Sequence, residues 1–108
     1  ELASDKNVWI ELLMKRGMLH SRIKEYAAAI RDYDDVLRRN PECLRALVHR
    51  GIAYHLHGYL DSALKDYDQA LTLHPAHLLV TNNRARLLMD QRKWREAIAC
   101  FGDIEEEQ

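Results

Sequence analysis

Arg50–Pro75, RGIAYHLHGYLDSALKDYDQALTLHP, is the stretch whose reading decides the fold. It reads as two short amphipathic helices joined by a tight turn, with Gly58 as the residue that closes the first. The chain on either side repeats the same plan. Gly17 and Gly51 are 34 residues apart, and so are Ala29, Ala63 and Ala97, then Tyr33, Tyr67 and Phe101, then Pro41 and Pro75. A fixed period of this length, marked by small, aromatic and proline positions, means a stack of similar helix-pair units.

Working outward, the first unit carries Trp9, Leu12, Leu13, Arg16, Gly17 and His20 on one helical face, in a helix that runs to about Arg22. Glu1–Asn7 is polar and expected to fray, with Ser4 as an N-cap and Asp5 in the first turn. Gly17 inside a helix costs about 1 kcal/mol against alanine, which calls for a close approach by a second helix. Ile23–Glu25 makes the turn, and Tyr26–Arg39 follows with Tyr26, Ala29, Ile30, Tyr33 and Leu37 as its stripe. The middle unit is expected to hold helices over Glu42–His57 and from about Asp61. Leu44, Leu47, Val48, Gly51, Ile52 and Tyr54 are apolar or small in the first. Leu60, Ala63, Leu64, Tyr67 and Leu71 form the stripe of the second. The third unit gives Ala76–Asp90 and Trp94–Glu107, the latter striped by Trp94, Ala97, Ile98, Phe101 and Ile104. Thr81 stands there where Leu13 and Leu47 stood, and Ala85 replaces the glycine.

Composition agrees with a compact helical chain. Of 108 residues, 47% are hydrophobic and 31% charged, and glycine and proline number only four and two. Sixteen basic and seventeen acidic side chains leave a formal charge of −1, so no field favours nucleic acid, a membrane surface or an acidic substrate. No apolar run approaches the ~20 residues of a membrane helix. There is no basic-then-apolar leader. The first residue is Glu, from which an excised fragment of a longer protein is expected. Cys43 and Cys100 are expected to be reduced thiols in a cytoplasmic compartment.

These residues resemble three tetratricopeptide repeats over about Ile10–Glu107, in units of about 10–43, 44–77 and 78–108. The middle unit carries Leu47, Gly51, Tyr54, Gly58, Ala63, Tyr67, Ala70 and Pro75 at the family's positions. The first supplies Leu13, Gly17, Ala29, Tyr33 and Pro41, with His20 at an aromatic place and Val36 at the second alanine. The third supplies Ala85, Ala97 and Phe101. The resemblance implies an all-α, right-handed superhelical solenoid of about six helices in antiparallel pairs. Physical reasoning supports it independently: Gly17, Gly51, Ala85 and the alanines Ala29, Ala63 and Ala97 admit close helix pairs, and Tyr33, Tyr67 and Phe101 bridge one unit to the next. Ile98, Phe101 and Ile104 are expected to lie open on the last helix, inviting self-association or a further unit.

The resemblance further implies a concave groove lined by the first helix of each unit. By register its side chains are Glu11, Met14, Lys15, Met18 and Ser21, then Arg45, Val48, His49, Ile52 and His55, then Leu79, Asn82, Asn83, Arg86 and Met89. Met14, Met18 and Met89 are expected as adaptable contacts, Asn82 and Asn83 as holders of a peptide backbone, and Arg45 or Arg86 as carboxylate receptors. Val48 and Ile52 stand equally as core and as contact residues. Family members that grip the acidic tails of heat-shock chaperones use Lys, Asn, Asn, Lys and Arg. Met14, Met18, His49, Leu79 and Asn83 occupy those places here, which speaks against a chaperone co-factor of that kind.

Other chemistry finds little support. His55 and His57 diverge on a helix, and His74-Pro-Ala-His77 lacks any partnering metal motif. His20 is expected half-buried, and His49 is expected in the groove as a pH-sensitive contact. Asp32, Asp34 and Asp35, with Asp66 and Asp68, flank inward tyrosines and are expected to form a solvated face. No phosphate loop or nucleophile elbow is present. Arg92-Lys93-Trp94-Arg95 looks basic and aromatic, but the tryptophan aligns with Tyr26 and Leu60 and is assigned to the core. The expectation is a non-enzymatic, cofactor-free adaptor for a protein or peptide. The alternative is a structural segment that self-associates through its last helix.

Overall fold

The computed structural model describes residues 2–102. Six helices follow in order: α1 (Leu2–Arg22), α2 (Tyr26–Arg39), α3 (Leu44–His57), α4 (Leu60–Leu73), α5 (Leu78–Asp90) and α6 (Trp94–Cys100). Each packs on the helix before and after it, and α1 also touches α3 as α3 touches α5. First helices therefore lie side by side along a stack of 47 × 32 × 22 Å, an all-α helical repeat fold.

Local chemistry sets the boundaries. α1 already begins at Leu2, so Ser4 lies within the helix and is not its cap, and the expected frayed segment is helical from Leu2 on. Nothing in that segment breaks a helix, and Asp5 complements the dipole of the first turn. α3 and α5 start two residues later than expected. After Pro41 and Pro75 the chain completes a turn, closed by Cys43 N–H donating to Asn40 O and His77 N–H donating to His74 O. Cys43 and His77 are then the N-caps, and His77 Nδ1 accepts from Val80 N–H. α6 stops at Cys100, followed by a turn at Phe101–Gly102, where Glu107 had been expected as the end. Ile104 and the Glu105–Glu107 run lie outside the described residues, as does Glu1.

The turn inside each unit is one motif used three times. Lys24, Gly58 and Arg92 are all left-handed, with φ of 68°, 96° and 60°. The next residue's N–H reaches back to a carbonyl five positions earlier: Glu25 to His20, Tyr59 to Tyr54, Lys93 to Leu88. Only the middle unit places glycine there, where L side chains are strained.

Tyr33 and Tyr67 are the largest fully buried side chains. Each ring lies in the space left by a glycine: a Cβ on Gly17 would sit 2.5 Å from Tyr33 Cε1, and one on Gly51 2.7 Å from Tyr67 Cε1. Ala29, Ala63, Val36 and Ala70 close the same seams. Phe101, the third aromatic of the series, is instead half-exposed, with no following unit among the described residues. Trp94 is also exposed and not part of the core. Its counterpart Tyr26 is covered by the next unit, its ring 6.0 Å from that of His57; α6 has no such neighbour among the described residues.

Two of the five aspartates overturn the expectation of a solvated face; Asp68 is exposed, and Asp34 and Asp35 are half-buried. Asp32 and Asp66 are buried, and arginines at the same 34-residue period hold them. Arg16 Nε and Nη2 donate to Asp32 at 2.9 and 2.7 Å. Arg50 Nε and Nη2 donate to Asp66, both at 2.8 Å, and its Nη1 donates to Asp34 of the preceding unit at 2.8 Å. Arg84 Nε donates to Asp68 of the preceding unit at 2.6 Å, and its Nη1 to Cys100 Sγ at 3.1 Å. Arg50 thus stitches two units together, and the Asp66 hydrogen bonds hold its guanidinium firmly protonated. Both cysteines are free thiols.

Candidate functional site

α3 and α5 lie side by side, and the space between them forms a depression of about 510 Å3. Ile52, Leu56, Leu79, Met89 and the edge of Tyr67 supply its apolar lining, and His55, Asn83, Arg86 and Asp90 its polar groups. His55 Nε2 and Asp90 Oδ2 lie 2.6 Å apart across the two helices. Arg86 makes no ion pair or hydrogen bond among the described residues and is exposed. A second hollow of about 260 Å3 lies between α1 and α3, lined by Met18, Ser21, Arg22, Tyr33, His49 and Ile52. Ile52 belongs to both, so the two hollows adjoin.

The residues expected to line a groove divide accordingly. Met18, His49, Ile52, His55, Leu79, Asn83, Arg86 and Met89 line these hollows. Met14 does not: it is fully buried in the hydrophobic core. Val48, at the same place in the next unit, is buried too, which settles it as core. Asn82, the third residue of that series, is exposed, since no unit stands beyond it among the described residues. Arg45 is already engaged, its Nη1 donating to Glu11 Oε1 at 2.9 Å. That bond holds the Glu11 carboxyl below the usual carboxylate range. Among the described residues Arg86 is left as an open cation of the hollow between α3 and α5, and Arg22 is one in the hollow between α1 and α3.

Burial, with Arg45 nearby, pushes the His49 imidazole below its ordinary value. It lies against Tyr33, ring centres 6.1 Å apart. Burial alone accounts for most of the rise of the Tyr67 phenol to about 12, so both tyrosines stay neutral. His20 is half-buried, as expected, with Nδ1 2.8 Å from Glu25 Oε1. Among the described residues no three His, Cys, Asp or Glu side chains converge to hold a metal ion. No described helix is long and apolar enough to cross a membrane.

Helix pairs at a 34-residue period, locked by a tyrosine in a glycine gap and open along the row of first helices, define a helical-repeat protein. The chain belongs to the tetratricopeptide repeat family, whose pattern matches residues 14–77, more than half its length. Superkiller protein 3 of Saccharomyces cerevisiae is similar, 28% identical over 82 residues; the match covers 76% of this chain and 6% of that protein. The Sgt2 tetratricopeptide repeat domain from Aspergillus fumigatus shares the fold at a TM-score of 0.81 and 22% identity, with 86% of this chain and 62% of that one covered. The first such domain of Spaghetti, bound to an HSP90 peptide, superposes at a TM-score of 0.73 and 26% identity, covering 77% and 66%.

Proposed function

We propose that the chain is a protein-interaction module that takes a peptide or helix along the face formed by α1, α3 and α5. The observation that carries this reading is the hollow between α3 and α5, apolar on its walls and carrying one arginine, Arg86, without a partner among the described residues. Apolar walls with a few convergent polar groups suit an anchor side chain, and an open guanidinium suits a carboxylate beside it. Related domains in complex with a peptide, as in Spaghetti, support a protein partner. The reading speaks against a two-carboxylate clamp for chaperone tails, because Met14 and Leu79 stand where such a clamp needs lysines. An HSP90-type acidic peptide is accordingly expected not to bind.

The test is affinity capture from cell extract with the chain and with an Ile52→Glu, Arg86→Glu variant of unchanged helicity. Loss of a discrete protein set in the variant supports the reading, and an unchanged set refutes it. A second reading, self-association through the last helix, draws on Trp94 and Ile98, both exposed on α6. It predicts a dimer in sedimentation that Ile98→Glu dissociates. A cytoplasmic setting accords with two free thiols.

A further inference from the structure

The two adjoining hollows differ in charge. The one between α3 and α5 holds Asp90 as well as Arg86. The one between α1 and α3, of about 260 Å3, has Arg22 and His49 in its lining and no acidic side chain. Arg22 stands in the last turn of α1 and makes no ion pair among the described residues. The Ser21 hydroxyl lies beside that of Tyr33. His49 faces them from α3, its ring against Tyr33. Neither of its ring nitrogens has a hydrogen-bond partner among the described residues.

The other charges around His49 are engaged elsewhere. On its own helix Arg45 is paired with Glu11 of α1, beside which Lys15 lies. α2 presents Tyr33, whose neighbour Asp32 is held by Arg16. α4 directs Asp66 to Arg50, and Arg86 of α5 lies beyond Ile52 in the adjoining hollow. No carboxylate pairs with the imidazole, and burial with Arg45 keeps it neutral at neutral pH. An anion between His49 and Arg22 reverses that balance, because an opposite charge within about 4–6 Å favours the charged form. A carboxylate is matched by Arg22 alone. A phosphate monoester carries close to two negative charges at about pH 7. That matches one fixed cation and one group able to take up a proton, with the Ser21 hydroxyl as a further donor.

We infer that the hollow between α1 and α3 is a phosphate monoester site. Its occupant is a phosphoserine or phosphothreonine of a peptide on the face of α1, α3 and α5, a source that rests on the function proposed above. Arg22 holds the dianion from one side. His49 takes a proton from solvent and donates to it from the other. The probe is N-acetyl-phosphoserine N-methylamide, titrated into the full chain at constant ionic strength while NMR follows the His49 ring. The probe should raise the proton affinity of His49 about tenfold, moving its titration midpoint to higher pH. N-acetylglutamate N-methylamide should leave the midpoint in place. Arg22→Gln, at an exposed position, should abolish the response, and Arg86→Gln should preserve it. A midpoint unmoved at about 50 mM probe refutes the proposal. So does an equal response to the glutamate probe or in Arg22→Gln, and so does loss in Arg86→Gln, which would place the anion between α3 and α5. A response to inorganic phosphate but not to the phosphoserine probe refutes the peptide source. No extract enters this titration, so a moved midpoint beside an unchanged capture set refutes the reading of the face and not the phosphate site. Phosphatase treatment of the extract should remove the proteins that the Ile52→Glu, Arg86→Glu variant loses, and their retention refutes the peptide source.

Discussion

Replacing Gly51 by alanine sets two effects of similar size against each other. Helix propensity alone favours alanine in mid-helix by about 1 kcal/mol. The packing has the opposite sign. A Cβ at Gly51 would stand 2.7 Å from Tyr67 Cε1 and 2.9 Å from Cδ1, where carbon atoms rest at about 3.5–4.0 Å. The ring must therefore retreat by roughly 1 Å. Tyr67 is fully buried, so its retreat displaces the α3–α4 seam and not a flexible side-chain tip. Overpacking of this kind costs about 1–3 kcal/mol, which outweighs the propensity gain. Gly51→Ala should destabilise the chain by about 1 kcal/mol net, read as a lower midpoint in urea followed by circular dichroism at 222 nm. Ala85→Gly is the matched control. Ala85 holds the same place in the third unit, and Phe101, the counterpart of Tyr67, is half-exposed. Losing that methyl relieves nothing and costs about 1 kcal/mol of propensity. A Gly51→Ala chain more stable than its parent would refute the packing argument.

Arg50→Met should cost about 3 kcal/mol by leaving the buried Asp66 carboxylate without its cation, and adding Asp66→Leu should recover most of it, since the loss lies in the orphaned charge. A double variant no more stable than the single one, in the same urea assay, would contradict this. For His49 the folded chain holds the imidazole below its ordinary 6.5. Its contribution to stability is therefore complete above pH 6.5. It is lost as pH falls through 6.5 toward the lower folded value, because the unfolded chain takes up a proton that the folded one refuses. The drop in stability between about pH 7.5 and 5.5 should shrink in His49→Gln, and an unchanged drop would show that His49 is not linked to folding.

The helical frame was legible because its markers act locally. Prolines, an in-turn glycine and a repeating Ala-x-x-x-Tyr stripe place α2 at Tyr26–Arg39 with no tertiary information. The misreadings of the aspartates and of Met14 share one cause. A helical wheel assumes one buried face, whereas a helix inside a stack is covered on two. Asp32 and Asp66 lie about 100° from the inward tyrosines, which reads as solvent for a lone helix and as the unit seam here. Met14 shifted from groove to core for the same reason. Periodicity held the missing clue: Arg16, Arg50 and Arg84 recur at 34 residues, as do Asp32 and Asp66, and Asp34 and Asp68. Register placed Ile52, His55, Leu79, Asn83, Arg86 and Met89 around the hollow between α3 and α5, but its depth lay beyond reading because it depends on helix separation rather than on residue order.

The arginine series loses strength toward its C-terminal end. Cys100 takes the place of an aspartate, and α6 has seven residues where α2 and α4 each have fourteen. Repeat stacks come apart at their weakest junction, because each unit is stabilised only by its neighbours. The order of opening is thereby built into the chain: amide hydrogens of α6 exchange first and those of α3 and α4 last. A protease offered the folded chain should make its first cut between Arg92 and Gly102 while the middle unit stays closed.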